Sequence, residues 1–244
     1  MKTIKVKDIK LSNNSPIIVI AGLNVLEDKS MAIDVARELK EITYNNSVPF
    51  IFKASFDKAN RSSIESYRGP GIKNSIQIFE AIKKELDIPI ITDIHEQGQI
   101  KEISEVVDIL QIPAFLCRQT DLINAACQTQ LPLNIKKGQF LSPGQMQNII
   151  DKCKSFGNDN IILCERGSSF GYDNLVVDFL GISKQKSYSY PIILDVTHSL
   201  QLPGGRGSSA GGRSHQAEDL ALAATALSIS GLFIEVHPDP DKAC

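Results

Sequence analysis

Eight short apolar runs recur along the chain, each ending in a polar residue or close to one: PIIVIAG (16–22), PFIFKAS (49–55), PIITDI (89–94), VVDILQIPA (106–114), PLNIKKG (132–138), IILCERG (161–167), PIILDV (191–196) and GLFIEVH (231–237). They are rich in Ile and Val and apolar on both parities, as strands buried on both faces of a parallel sheet are. Between them the apolar positions take a helical period. Met31, Ile33, Ala36, Leu39 and Ile42 share a face within 30–44, as do Ile76, Phe79, Ile82 and Leu86 within 74–86. Eight strand and helix alternations without a break in composition predict an α/β fold, one (β/α)8 TIM barrel across residues 1–244, rather than two domains or a Rossmann sheet. The opening TIKVKDIKL alternates polar and apolar positions and is read as a short N-terminal β-hairpin extension. Only residues 238–244 follow the eighth run, so the eighth outer helix is expected to be absent from the given chain, with the natural chain continuing further.

Composition narrows the function classes. With 42% hydrophobic and 22% charged residues and a net charge of −2, the chain has no long-range attraction to nucleic acid or an anionic membrane, so neither is expected as a partner. No apolar run approaches the ~20 residues that span a bilayer, and MKTIKVKDIKLSNN lacks a signal-peptide centre, which predicts a cytoplasmic location. Cys117, Cys127, Cys153, Cys164 and Cys244 form no C-x-x-C pair and are expected to be reduced, Cys164 as a structural thiol.

In a barrel of this kind the chemistry sits at the C-terminal ends of the strands. Those ends carry Asn24, Lys53, Asp93 with His95, Gln111, Lys136 with Lys137, Arg166, Asp195 with His198, and Glu235 with His237. Any one of these is as easily a loop residue. As a set, lysines and arginines ending separate buried strands repel one another and are desolvated unless anions sit among them, which points to a site for anionic substrates. KASFDKANRSS (53–63) adds Ser55, Lys58, Asn60, Arg61, Ser62 and Ser63 as further donors; its alternative reading is a solvated loop with a helix N-cap at Ser62 or Ser63. The glycine-rich segment 203–212 has the composition of a lid or a linker. His198, Glu235 and His237 suit either a divalent metal or the metal-free orientation of substrate and water, and their spacing does not decide between them.

The stretches KASFDKANRSS, SYRGPG, ITDIHE, LQIPAFLCRQTDL, NIKKGQF, SPGQM, ERGSSFGYDNLVVD, LDVTHSLQLPGG and FIEVHPDP together resemble the 3-deoxy-D-manno-octulosonate 8-phosphate synthase family, from about residue 16 to residue 244. The resemblance implies a (β/α)8 barrel, a homotetramer, and condensation of phosphoenolpyruvate with D-arabinose 5-phosphate and water during lipopolysaccharide biosynthesis. By motif, Lys136 and Arg166 would hold the phosphoenolpyruvate phosphate, and Lys53, Ser55, Lys58 and Gln111 would surround its carboxylate and reacting carbons. Asn60, Arg61 and Ser62 would clamp the sugar phosphate, with Arg61 and Ser62 reaching a neighbouring subunit's site. Asn24, Lys53, Lys58, Asp93, His198 and Glu235 fall in the catalytic group, with Asp93, His198 and a bound water as candidates for proton transfer, and Asp195 and His237 join the substrate-binding set. The family has metal-dependent and metal-independent members. AGLN places Asn24 where metal-dependent members carry cysteine, so no metal or other cofactor is expected, a divalent ion being the alternative suggested by the THSLQLPGG loop. The sister enzyme that uses erythrose 4-phosphate fits less well, because KANRSS stands where that family has KPRTS or KPRSS. A non-catalytic sugar-phosphate-binding barrel is the remaining alternative.

Overall fold

A computed structural model of the chain describes residues 1–203 and 211–244. The eight apolar runs form strands β1 (Ile18–Gly22), β2 (Phe50–Lys53), β3 (Ile90–Asp93), β4 (Ile109–Ile112), β5 (Leu133–Lys136), β6 (Ile161–Glu165), β7 (Ile192–Asp195) and β8 (Gly231–Glu235). All pair in parallel and close into a barrel in chain order, with β8 against β1. Helices α1 (Lys29–Asn45), α2 (Ile72–Leu86), α3 (Gln97–Ser104), α4 (Thr120–Gln128), α5 (Met146–Ser155), α6 (Phe179–Lys186) and α7 (Ala217–Ala226) follow the first seven strands. After β8 the chain carries a single 3₁₀ turn, Pro240–Lys242.

Local chemistry sets the helix starts. Asp28 caps α1 by accepting from the Met31 amide at 2.9 Å, and Glu96 with Gln99 forms a capping box on α3. Ser62 and Ser63 cap nothing of this kind: the next helix begins ten residues after Ser62, at Ile72, and Ser63 Oγ instead accepts from the Glu65 amide within an irregular loop. The N-cap reading of those serines is therefore corrected.

Two apolar clusters lie on either side of the sheet wall. Outward-facing strand residues pack against the helices, while Ile18, Ile20, Ile51, Ile91, Ile109, Ile162, Cys164, Ile193 and Phe233 fill the interior. The N-terminal hairpin, Ile4–Val6 paired antiparallel with Ile9–Leu11, joins the interior cluster through Ile4, Val6 and Leu11. Strand alternation turns these three toward the barrel and leaves Lys5 and Lys10 in solvent, so the hairpin closes the end of the barrel away from the polar strand ends. The expected lid at 203–212 falls largely outside the described residues, which omit 204–210.

Truncating the fully buried Leu11 to Ala should cost about 2–5 kcal/mol and lower the melting temperature by several degrees, whereas Lys10→Ala should leave it within about 1 °C. Thermal melts of the two variants check that the hairpin is a packed part of the barrel; equal melting temperatures would show that it is not.

Candidate active site

One geometric rule assembles the site. A step of two residues along each strand stays on the same face of the sheet. Two residues beyond the interior-facing Ile51, Ile91, Ile109, Asn134, Cys164, Ile193 and Phe233 stand Lys53, Asp93, Gln111, Lys136, Arg166, Asp195 and Glu235. The polar group is thus the next tier above the apolar interior, reached by the same alternation, and all seven are buried or nearly so. In β1 the corresponding position is Gly22, where an added Cβ would lie 2.0 Å from the Lys53 carbonyl oxygen. Glycine is required there for the strands to approach.

Within this tier the cations are paired with the protein's own carboxylates. Lys53, fully buried, donates to Glu235 Oε1 at 2.6 Å and to the carbonyls of Leu23 and Asn24, each at 2.9 Å. A lysine ammonium has three donors, so Lys53 offers its charge to a ligand but no remaining N–H. Lys58 Nζ lies 3.7 Å from the same Glu235 oxygen. On the other side of the barrel Lys136 pairs with Asp195 and sits 3.2 Å from the centroid of the Phe233 ring. His198 links the two pairs: Nδ1 is 2.8 Å from Asp195 Oδ2, and Nε2 is 3.6 Å from Glu235 Oε2. A continuous chain runs Lys136, Asp195, His198, Glu235, Lys53. The expectation that only a bound anion could reconcile these cations is corrected, since Asp195 and Glu235 do part of that work.

Arg166 differs from the lysines. Among the described residues its guanidinium makes one long hydrogen bond, Nη1 to Gln139 Oε1 at 3.4 Å, which leaves most of its donors for a ligand. Gln111 accepts from Asn134 Nδ2 at 2.9 Å, and the buried Ser55 hydroxyl has no partner among the described residues. Asp93 lies 3.1 Å from His95 Nε2, and among the described residues its Oδ1 has no partner.

Burial and charge act against each other on the ionisable groups. Desolvation alone raises the carboxyls of Asp93, Asp195 and Glu235, but neighbouring cations outweigh it and hold all three well below their usual range. The dominant opposing neighbours are Lys58 for Asp93, and His198 for both Asp195 and Glu235. Desolvation brings the Lys53 ammonium down to about 8 despite Glu235. Burial pushes the Cys164 thiol up to about 12, in keeping with a structural thiol.

Other expected residues stand apart from the cluster. Asn60 and Ser62 are exposed on the loop after β2, and the half-buried Arg61 donates from Nε to the Tyr67 carbonyl at 3.0 Å. Among the described residues, no hydrogen bond or ion pair joins these three to the strand ends. His237 Nε2 lies 3.2 Å from Glu27 Oε1, and its Nδ1 meets the Asp239 backbone, so it lies beside the chain rather than in it. Asn24 uses its amide as a donor, Nδ2 to the Cys244 carbonyl at 3.2 Å.

Phe233, Asn134 and Glu165 were not anticipated. Phe233 and Asn134 share the parity of the polar tier, which would have exposed them; Glu165 is a charge at an outward-facing position of a buried strand, and that mismatch was its signal. A divalent ion fits this donor set poorly. Asn24 supplies an amide where a thiolate is the better ligand, Glu235 is engaged by Lys53, and among the described residues no group of three His, Cys, Asp or Glu side chains is placed to hold a metal ion.

A parallel (β/α)8 barrel whose C-terminal mouth carries interleaved buried cations and carboxylates defines an α/β-barrel enzyme acting on small anionic substrates. Sequence comparison refines that class. The family model described as the DAHP synthetase I family matches residues 2–244. Proteins named 2-dehydro-3-deoxyphosphooctonate aldolase from Hahella chejuensis, Pseudomonas fluorescens (strain Pf0-1) and Azotobacter vinelandii are each 54% identical over 242 residues, which cover 99% of this chain and 86% of theirs. The chain belongs to the DAHP synthetase I family.

The depressed carboxyls set an acid limit. Folded values lie below the ordinary 3.8 of Asp93 and Asp195 and 4.5 of Glu235, so their stabilisation is fully present above those pH values and is lost as pH falls through the folded ones. The melting temperature should hold between about pH 5 and 7 and fall progressively below about pH 4.5. Asp195→Asn should lower it throughout but flatten the acid decline; a variant curve parallel to the native one would show that Asp195 does not carry this dependence.

Proposed function

We propose that this chain is a 3-deoxy-8-phosphooctulonate synthase, joining phosphoenolpyruvate to D-arabinose 5-phosphate with water and releasing inorganic phosphate. The observation that carries the reading is the interior tier of Lys53, Lys136 and Arg166 at the barrel mouth, in a chain 54% identical over nearly its whole length to proteins named for that eight-carbon sugar acid phosphate. The printed name of those relatives favours the arabinose substrate over the erythrose 4-phosphate of the sister enzyme.

In this reading C3 of the enol attacks the aldehyde carbon, water adds at C2, and phosphate leaves with cleavage of the C2–O bond. Arg166 binds the phosphoenolpyruvate phosphate with its free donors, and Lys136, held over Phe233, supplies the second charge. Lys53 acts through its field, since its donors are occupied, while Ser55, Lys58 and Gln111 meet the carboxylate and reacting carbons. His198, between Asp195 and Glu235, is placed to take a proton from the attacking water and pass it on. Asp93, free at Oδ1, serves the aldehyde side. Asn60, Arg61 and Ser62 clamp the sugar phosphate. Holding both reactants in line accounts for up to ~7–11 kcal/mol of barrier reduction.

The reaction needs no metal or cofactor in this reading. Asn24, an amide, binds no ion in it. The protein works as a cytoplasmic homotetramer, with neither nucleic acid nor membrane as partner. Exposed Phe115, Phe140, Phe170 and Tyr172 on successive loops at the mouth support assembly, because large exposed aromatics favour burial between subunits. No described helix is long and apolar enough to cross a membrane.

Chelator-treated protein should release phosphate from phosphoenolpyruvate with arabinose 5-phosphate and not with erythrose 4-phosphate. Dependence on added divalent ion would overturn the metal-free reading, and silence with both aldehydes would overturn the activity. Arg166→Ala should weaken phosphoenolpyruvate binding by about 10- to 100-fold in calorimetry. Asn24→Cys should bind Zn²⁺ in equilibrium dialysis where the native protein does not.

A further inference from the structure

Behind the site, on the outer side of the barrel wall, lies a second buried ion pair that the proposed chemistry does not use. Lys137 and Glu165 leave the neighbouring strands β5 and β6 on the parity opposite to Lys136 and Arg166, toward the helices. Both side chains are 1% exposed, with Lys137 Nζ 3.4 Å from Glu165 Oε1. The carboxylate does more than balance the charge. Oε1 accepts from the backbone amides of Arg166 at 3.0 Å and Gly167 at 2.7 Å, and Oε2 accepts from Gln185 Nε2 of α6 at 2.7 Å. Lys137 grips the same turn from its other side, donating to the Gly167 carbonyl at 3.1 Å and the Ser168 hydroxyl at 3.0 Å. The turn itself depends on Gly167 at φ +85°, a conformation that side chains rarely adopt.

We propose that Glu165 is the positioning residue for Arg166: its carboxylate, braced by Lys137 and Gln185, fixes the Arg166–Gly167 turn and so aims the guanidinium at the substrate phosphate. This rests on the reading of Arg166 as a phosphate ligand given above. Stability alone is a poor explanation of the arrangement, because a buried Lys–Glu pair gains little over two well-packed apolar side chains. Accepting from two successive amides while neutralising a buried ammonium, however, is something an apolar residue does not do. Arg166 needs such a brace because its own side chain has one weak bond among the described residues, and a long side chain loses much rotamer freedom when a ligand orders it. A fixed backbone removes part of that cost before binding.

The test compares native protein with Glu165→Ala, Glu165→Gln and Gln185→Met. Phosphoenolpyruvate affinity is read by calorimetry, and KM for each substrate by phosphate release. Glu165→Ala should weaken phosphoenolpyruvate binding and raise its KM by about tenfold or more, with KM for arabinose 5-phosphate changed less than about twofold. Glu165→Gln retains an acceptor for the two amides and should recover much of the loss. Gln185→Met, which leaves Glu165 in place and spares the fold if Glu165→Ala does not, should weaken phosphoenolpyruvate alone by about threefold. Equal rises in both KM values, or unchanged phosphoenolpyruvate affinity in Glu165→Ala, or in Gln185→Met if Glu165→Ala does not fold, while the native protein binds it, would overturn the positioning role and leave the activity standing. Native protein that binds no phosphoenolpyruvate would overturn both.

Discussion

Burying charge at the mouth of the barrel is the constraint on which the rest of the site depends. Lys53 and Lys136 end strands that are buried along their whole length, and removing an ammonium from water costs several kcal/mol unless a partner meets it. The protein supplies Glu235 and Asp195, and His198 lies between them. This compensation explains how a folded barrel tolerates so many cations without a ligand. It also differentiates them: Lys53 is saturated, Lys136 is paired and stacked on Phe233, and Arg166 keeps donors to spare.

The same arrangement links stability to chemistry. A carboxylate held well below its usual range by adjacent cations stays ionised across the neutral region, so Asp195 and Glu235 keep their charge on either side of His198. Lys53 is brought down to about 8 by desolvation, against the opposing pull of Glu235. The outer pair of Lys137 and Glu165 follows the same electrostatic rule on the opposite face of the wall, where it holds backbone rather than facing the mouth.

Much of this was legible along the chain. Eight continuously apolar runs separated by helical periods specify a barrel because strands buried on both faces have no polar parity, and the run boundaries agree with the strands to within a few residues. The polar tier was legible for a related reason: a charged residue at the end of such a run has to enter the mouth or the wall. Lys53, Asp93, Gln111, Lys136, Arg166, Asp195 and Glu235 all stand at such ends, whereas Phe233 and Asn134 lie one step below them on the same parity, inside the runs where no charge marks the position.

The order of residues along each strand thus determined the fold, the end of the barrel that carries the chemistry and the types of group present there. Which cation meets which carboxylate was decided only by closure of the barrel. Lys53 and Glu235 are 182 positions apart, and Lys136 and Asp195 are 59 apart. Neither separation leaves a local trace, because Coulomb attraction and hydrogen bonding depend on distance in space, and bringing β8 beside β1 is what sets that distance.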